Sequence, residues 1–138
     1  MKIVILGCGR LGAHLARRLD SEGHDVTVID RTSESFARLG SDFQGKMVLG
    51  TGIDEDILRR AGIEKADAFV AVSNGDNTNA MAAEIAKLVF NVPRVVARLY
   101  DPVREDTYHT LGLMETVCPT IMGSERISEI ILNGAPKK

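Results

Sequence analysis

With 138 residues, 44% hydrophobic content and no tryptophan, the chain has material for one ordinary core and too little for a second domain of useful size. Its formal charge of -2, with no Lys/Arg block along the chain, excludes the electrostatic footprint of a nucleic-acid binder. The two cysteines, Cys8 and Cys118, lie far apart and lack C-x-x-C spacing, so metal or thioredoxin-like chemistry is not indicated and a reduced, cytosolic setting is expected.

The first element is a short apolar run over residues 3–6. Together with Lys2 and Cys8 it has the outline of a lipoprotein leader, but the run is too short for an h-region and Arg10 follows at once. The next segment reads as a helix with Leu11, Leu15 and Leu19 at i, i+4 and i+8, a stripe expected to cover a sheet face. Further runs of strand length occupy residues 26–29, 47–49, 68–72, 95–97 and 114–117. Apart from Thr27, Glu115 and Thr116 they are apolar on consecutive positions, which suits strands of a parallel sheet buried on both faces.

After the third run, Asp54 can cap a helix that carries Glu55 and Asp56 in its first turn and Arg59 and Arg60 in its last, with Gly62 to close it. After the fourth, "SNGDNTN" supplies turn chemistry and an N-cap, and Met81, Ile85, Leu88 and Val89 form a second expected core stripe. A short polar helix after Pro102 places His109 near its end, where a cation suits the helix dipole. The last helix, residues 121–132, carries Ile121, Met122, Ile127, Ile130, Ile131 and Leu132 over more than one face before Gly134 and Pro136 end it. One stripe can pack on a small domain, so the excess is a candidate homodimer surface, the other reading being a helix folded fully onto its own sheet. No stretch approaches the ~20 apolar residues of a spanning helix, so work at a membrane is expected to need another chain that crosses it. The alternation of strand and helix implies right-handed crossovers. The expected fold is α/β: a Rossmann-like, doubly wound, six-stranded parallel sheet in the order 3-2-1-4-5-6, with helices on both faces. Residues 1–132 form the expected domain and 133–138 a tail.

Gly7, Gly9 and Gly12 make G-x-G-x-x-G between the first strand and the first helix, enclosing Cys8, Arg10 and Leu11. Gly7 allows the tight turn, Gly9 lets a pyrophosphate approach the backbone, and Gly12 lets helix pack close to strand. Asp30 ends the second strand at the expected spacing of about 20 residues, placed to accept hydrogen bonds from an adenosine ribose. A 2'-phosphate there meets a carboxylate, so NADP is disfavoured. Arg31 either stacks on adenine or partly offsets that repulsion, the other reading being an exposed first-turn side chain. Arg10 is a cation in the first helical turn, an unfavourable place unless an anion lies nearby. Arg98 either reaches phosphates above the strand ends or pairs with an acid such as Asp101. Ser73 and Asn74 can reach the ribose, and Thr51, Gly52 and Asp54 end the third strand near the expected adenine position. The histidines, His14, His24 and His109, have no catalytic partner in sequence, and a dehydrogenase needs a proton donor or acceptor and a substrate pocket usually drawn from a second domain.

These blocks, "VILGCGRLG", "GHDVTVID", "VLGTGIDEDILRRAGIEKADAFVAVSNGDNTN", "PRVVARLYDP" and "GLMETVCP", in that order and spacing, resemble the N-terminal RCK (KTN, TrkA-N) domain of the Trk/Ktr potassium-uptake family. The resemblance runs from Met1 to about Leu132. It implies a non-enzymatic cytosolic subunit that binds ATP/ADP or NAD(H) and gates a membrane-embedded potassium translocation subunit, dimerising through its last helix and assembling into rings. By position it assigns Gly7, Gly9, Arg10 and Gly12 to the phosphate loop, Asp30 to the ribose, and Arg98 to terminal phosphates in ATP-responsive relatives. Thr120 stands where some relatives carry a glutamate, a departure that leaves a divalent ion at the dimer interface open. The chain also ends without the family's usual C-terminal ligand-binding domain, which implies a fragment of a longer protein or a subunit that works with a longer partner. An NAD(H)-binding redox sensor or a small NAD-dependent oxidoreductase is the alternative.

Overall fold

The computed structural model describes residues 1–133. In chain order these form β1 (Lys2–Leu6), α1 (Arg10–Ser21), β2 (Asp25–Asp30), a 3-10 helix (Ser33–Leu39), β3 (Lys46–Leu49), α2 (Glu55–Arg60) and a 3-10 turn (Ile63–Lys65). β4 (Ala68–Ala71), α3 (Asp76–Leu88), β5 (Arg94–Arg98), α4 (Pro102–Leu111), β6 (Glu115–Val117) and α5 (Pro119–Leu132) follow. The six strands form one parallel sheet in the order β3-β2-β1-β4-β5-β6, as the alternation of apolar runs and helices predicts.

Consecutive apolar residues on the central strands serve opposite faces. Ile3, Ile5, Val26 and Val28 pack with Ala13 and Ala16 of α1 and with Leu39. Val4, Leu6, Phe69 and Ala71 pack with Leu58 of α2 and with Ala82, Ala83 and Ala86 of α3. β3 departs from this pattern: it is an edge strand, and Met47 and Leu49 are exposed.

Each expected helical stripe packs only in part, with Leu15 and Leu19 of the first and Ile85 of the second half-buried against the core. α1 buries Gly12, Ala13 and Ala16, with Leu15 and Leu19 half-buried against the core, whereas Leu11 is exposed. On α3 the buried residues are Asn79 and four alanines, and Met81, Leu88 and Val89 face outward. The physical reason is shared. Small side chains let a helix sit close over the sheet, and that approach turns the bulkier positions away from it.

The α2 reading holds in detail. Asp54 accepts hydrogen bonds from the backbone N–H groups of Asp56 and Ile57, Arg59 pairs with Glu55 and Asp56, and Gly62 takes the left-handed conformation that ends the helix. Leu58 is fully buried beneath this capped turn. Replacing Asp54 with Ala is expected to cost about 1 kcal/mol, the usual loss for a helix cap, read as a lower urea midpoint with an unchanged slope.

α5 buries none of its residues among the described ones, and Met122, Ile127, Ile130, Ile131 and Leu132 are exposed. The alternative of a helix folded onto its own sheet is therefore not realised. The helix ends at Leu132 with Asn133 as its C-cap; the expected terminators Gly134 and Pro136 lie outside the described residues.

Candidate functional site

The strand order reverses between β1 and β4, and there, above the carboxyl ends of the strands, lies a cleft of about 770 Å³. This is where open α/β sheets take ligands, and the volume lies within the usual range for small-molecule sites. Its floor is the turn from β1 into α1. Gly7 has φ +113°, and its N–H donates to the carbonyl of Ile29 at 2.8 Å. Gly9 is the N-cap of α1, no side chain caps that helix, and its first turn carries no acid. A Cβ added at Gly9 would meet nothing within 4 Å, so the residue leaves open space beside helix N–H groups that have no partner within the helix. Together with the helix dipole, this favours an anion.

Asp30 lines the cleft and organises it as well. Its Oδ2 accepts from the N–H of Cys8 at 2.8 Å and its Oδ1 from the N–H of Thr32 at 2.9 Å. A carboxylate has about four acceptor positions, so two backbone bonds leave capacity for a diol. Across the cleft, β4 and β5 are tied by one fully buried amide. Asn79 Oδ1 accepts from the N–H and hydroxyl of Ser73 at 2.9 and 2.6 Å, while its Nδ2 donates to the carbonyls of Ser73 and Arg98 at 3.0 and 2.8 Å. That bracket fixes the two strand ends from which Ser73 and Arg98 face the cleft.

Arg98 is the most informative group. It is 7% exposed, donates from Nη2 to the carbonyl of Ser73 at 2.9 Å, lies with its guanidinium 4.3 Å from the Tyr100 ring centre, and leaves Nε without a partner. The expected alternative, an ion pair with Asp101, does not form; Asp101 pairs with Arg104. A buried cation facing a cleft without a carboxylate partner is costly, and an anionic ligand relieves that cost.

Gly7, Gly9, Arg10, Leu11, Asp30, Arg31, Thr51, Gly52, Ser73, Asn74 and Arg98 all line this cleft. Cys8, Gly12 and Asp54, also expected there, do not. The Cys8 side chain turns into the core beneath α1 and its thiol donates to the Ser35 carbonyl, so only its backbone serves the loop. Burial, reinforced by the nearby Asp30 carboxylate and opposed by Arg38, pushes the thiol above its ordinary pKa and keeps it neutral. Gly12 lies below the cleft, where it sets the helix packing, and Asp54 is committed to capping α2.

Thr32, Ser35, Arg38, Thr78 and Tyr100 line the cleft without having been anticipated. Arg38 donates to the carbonyl of Cys8 at 3.3 Å. It reaches the loop from a 3-10 helix whose sequence carries no periodic signal. Thr78 and Asn79 lie inside a segment that turn chemistry alone explains. Tyr100 follows the strand by two residues and shows its role only through the ring's position over Arg98. None of the three histidines lines the cleft. Among the described residues no group of His, Cys, Asp or Glu side chains is arranged to hold a metal ion, and no helix is long and apolar enough to cross a membrane.

The chain is similar to known proteins in sequence and fold. The chain is 48% identical over 135 residues to the Trk system potassium uptake protein TrkA of Streptomyces coelicolor, covering 98% of this chain and 60% of that protein. It is 30% identical over 131 residues to the TrkA homolog of Methanothermobacter thermautotrophicus, covering 95% of this chain and again 60% of the relative. The chain thus spans about 60% of these relatives' length. Among solved structures, the AMP-bound Shewanella denitrificans Kef CTD superposes with a TM-score of 0.82 at 22% identity, covering 98% of this chain and 83% of that one. GsuK bound to ADP gives a TM-score of 0.79 at 24% identity over 96% of this chain and 34% of that one. At such identities these likenesses establish the fold. The TrkA-N domain profile matches residues 3–119, from the first strand to the start of α5, and with the Streptomyces relative this shows that the chain belongs to the TrkA-N family.

Proposed function

We propose that residues 1–132 are the adenine-nucleotide-binding domain of a regulatory subunit of a Trk/Ktr-type potassium transport system. The observation that carries this reading is Arg98: a nine-tenths-buried guanidinium facing the cleft, lacking a carboxylate partner, opposite the open N-terminus of α1. The pair suits phosphates. In this reading Gly7, Gly9 and the first turn of α1 hold the phosphates, Arg10 and Arg98 neutralise them, and Asp30 accepts from the ribose. Arg31, Thr51 and Gly52 border the base, and Ser73 and Asn74 reach the sugar. The AMP, ADP and NAD complexes of its structural neighbours supply the ligand class. A carboxylate at the ribose position argues against NADP.

The role is regulatory rather than catalytic. What supports this is that the named relatives are potassium uptake proteins. The exposed apolar α5 is the surface through which the domain pairs with a second copy, as the first step to a ring, at the cytoplasmic face of a membrane-embedded translocation subunit. Switching follows from linkage. A nucleotide shifts the assembly only by its differential affinity for the two arrangements, so ligands that differ in phosphate charge favour different ones.

Calorimetric titration with ATP, ADP, NADH and NADPH, with the oligomer mass recorded in each, tests the reading. Binding of ATP or ADP with a ligand-dependent change in assembly is the expected result. Binding confined to NADH with no change in assembly supports the redox alternative instead. Arg10→Ala is expected to weaken ATP by about tenfold, the value of one charge-assisted hydrogen bond, and ADP or NADH by less. Equal losses for all three ligands would remove Arg10 from charge sensing.

A further inference from the structure

We propose that Tyr100 is a positioning residue that transmits occupancy of the cleft to α5. The inference rests on reading the cleft as an anion site and adds the route by which that site reaches the surface helix. Tyr100 is held from three directions. Its ring carries the Arg98 guanidinium at 4.3 Å. Its N–H donates to Asp76 Oδ1 at 2.8 Å, and the next N–H, of Asp101, donates to Asp76 Oδ2 at 3.0 Å, which anchors the segment to the start of α3. Its carbonyl accepts from the Thr120 hydroxyl at 3.3 Å and the Cys118 thiol at 3.6 Å.

The last two bonds give the arrangement its direction. α5 buries no residue, so its seating on the domain depends on its first turn, where Thr120 and the N-cap Cys118 lie. Arg98 has one hydrogen bond and an unpartnered Nε, so among the cations lining the cleft it is the buried one that still has donors for an incoming phosphate. A phosphate that engages Arg98 alters the stack on Tyr100. The Tyr100 backbone is pinned by Asp76 on one side, and the displacement passes through the carbonyl to Thr120 and Cys118. The bistable element is the seating of α5, and the ligand biases it through one aromatic ring.

Hydrogen–deuterium exchange of the 119–132 segment, with and without saturating ATP, tests the relay, and calorimetry on the same samples reports binding. In the unaltered chain, ATP is expected to change exchange in this segment several-fold. Tyr100→Phe keeps the ring and should keep the response. Tyr100→Ala should bind ATP within about fivefold of the unaltered chain, the loss of one cation–π contact to a ring that is itself 40% exposed, yet lose most of the α5 response. Thr120→Val removes one of the two bonds at the far end of the relay without touching the cleft and should show a reduced response, with an affinity changed by no more than the several-fold coupling it removes, which keeps the test decisive if Tyr100→Ala fails to fold. If ATP binds and α5 does not respond, or responds in Tyr100→Ala and Thr120→Val as fully as in the unaltered chain, the relay is wrong and the binding reading stands. If calorimetry shows no ATP bound to the unaltered chain, the binding reading fails and the relay with it.

Discussion

Gly12→Ala is expected to lower the melting temperature by about 10 °C, the equivalent of roughly 3 kcal/mol in a domain of this size. A Cβ at this position would lie 1.9 Å from the Gly7 carbonyl oxygen and 2.8 Å from its carbon, both backbone atoms. The loop cannot yield easily. The Gly7 N–H is bonded to Ile29, Cys8 N–H is bonded to Asp30, and Gly7 itself sits at φ +113° against the backbone of Val72 and Ser73. α1 must then move off the sheet, which opens the contacts of Ala13 and Ala16 with Ile3, Ile5 and Val28. Gly9→Ala is the matched control, since its Cβ meets nothing. It should melt within about 2 °C of the unaltered chain, the shift expected from half a kcal/mol or less, while binding ATP more weakly because the methyl group occupies the phosphate approach. Thermal denaturation by circular dichroism measures both. Equal melting temperatures for the two variants would contradict the packing role assigned to Gly12.

What could be read in the chain, and what could not, follows the range of the interactions. The central strands were legible because a parallel sheet buried on both faces makes residues 3–6 of β1 apolar throughout and residues 26–29 of β2 apolar but for Thr27, a signal carried by adjacent residues. The glycine loop and Asp30 were legible because strand, turn and helix follow one another in a fixed local order. The α3 stripe misled because periodicity weighs bulk, and the close contact belongs instead to Ala82, Ala83 and Ala86, with Met81 and Leu88 left outside. Arg98 was recognised as a cleft cation with two possible partners, and only the three-dimensional arrangement shows that Asp101 is engaged elsewhere. Arg38 and Tyr100 escaped notice because their partners, Cys8 and Arg98, are joined to them by geometry rather than by any sequence period. Asn79 is the sharpest case. Its composition fits a turn, and its function is a bracket between strand ends that meet only in the folded sheet.

That bracket makes Asn79→Ala the second large effect. The amide is fully buried and uses both of its ends, so truncation leaves the Ser73 N–H and the carbonyls of Ser73 and Arg98 short of partners in the interior. The Ser73 carbonyl keeps its bond from Arg98 Nη2, which limits the damage there. The remaining groups cost about 3 kcal/mol when a buried donor or acceptor goes unmet, and chemical denaturation should report a loss of that order. Asn79→Asp keeps the acceptor for Ser73 and loses the donor, placing carboxylate oxygen against two carbonyls. It should therefore be no more stable than the alanine variant, although it preserves volume. The functional consequence is separable from stability. Under conditions where Asn79→Ala is still folded, Arg98 and Ser73 are no longer held in register across the cleft, and ATP affinity should fall at least about tenfold, the cost of misplacing one charge-assisted contact. An Asn79→Ala chain that binds ATP as the unaltered one does would mean that the strand ends are set by the sheet ladder alone, and that Arg98 finds its place without the bracket.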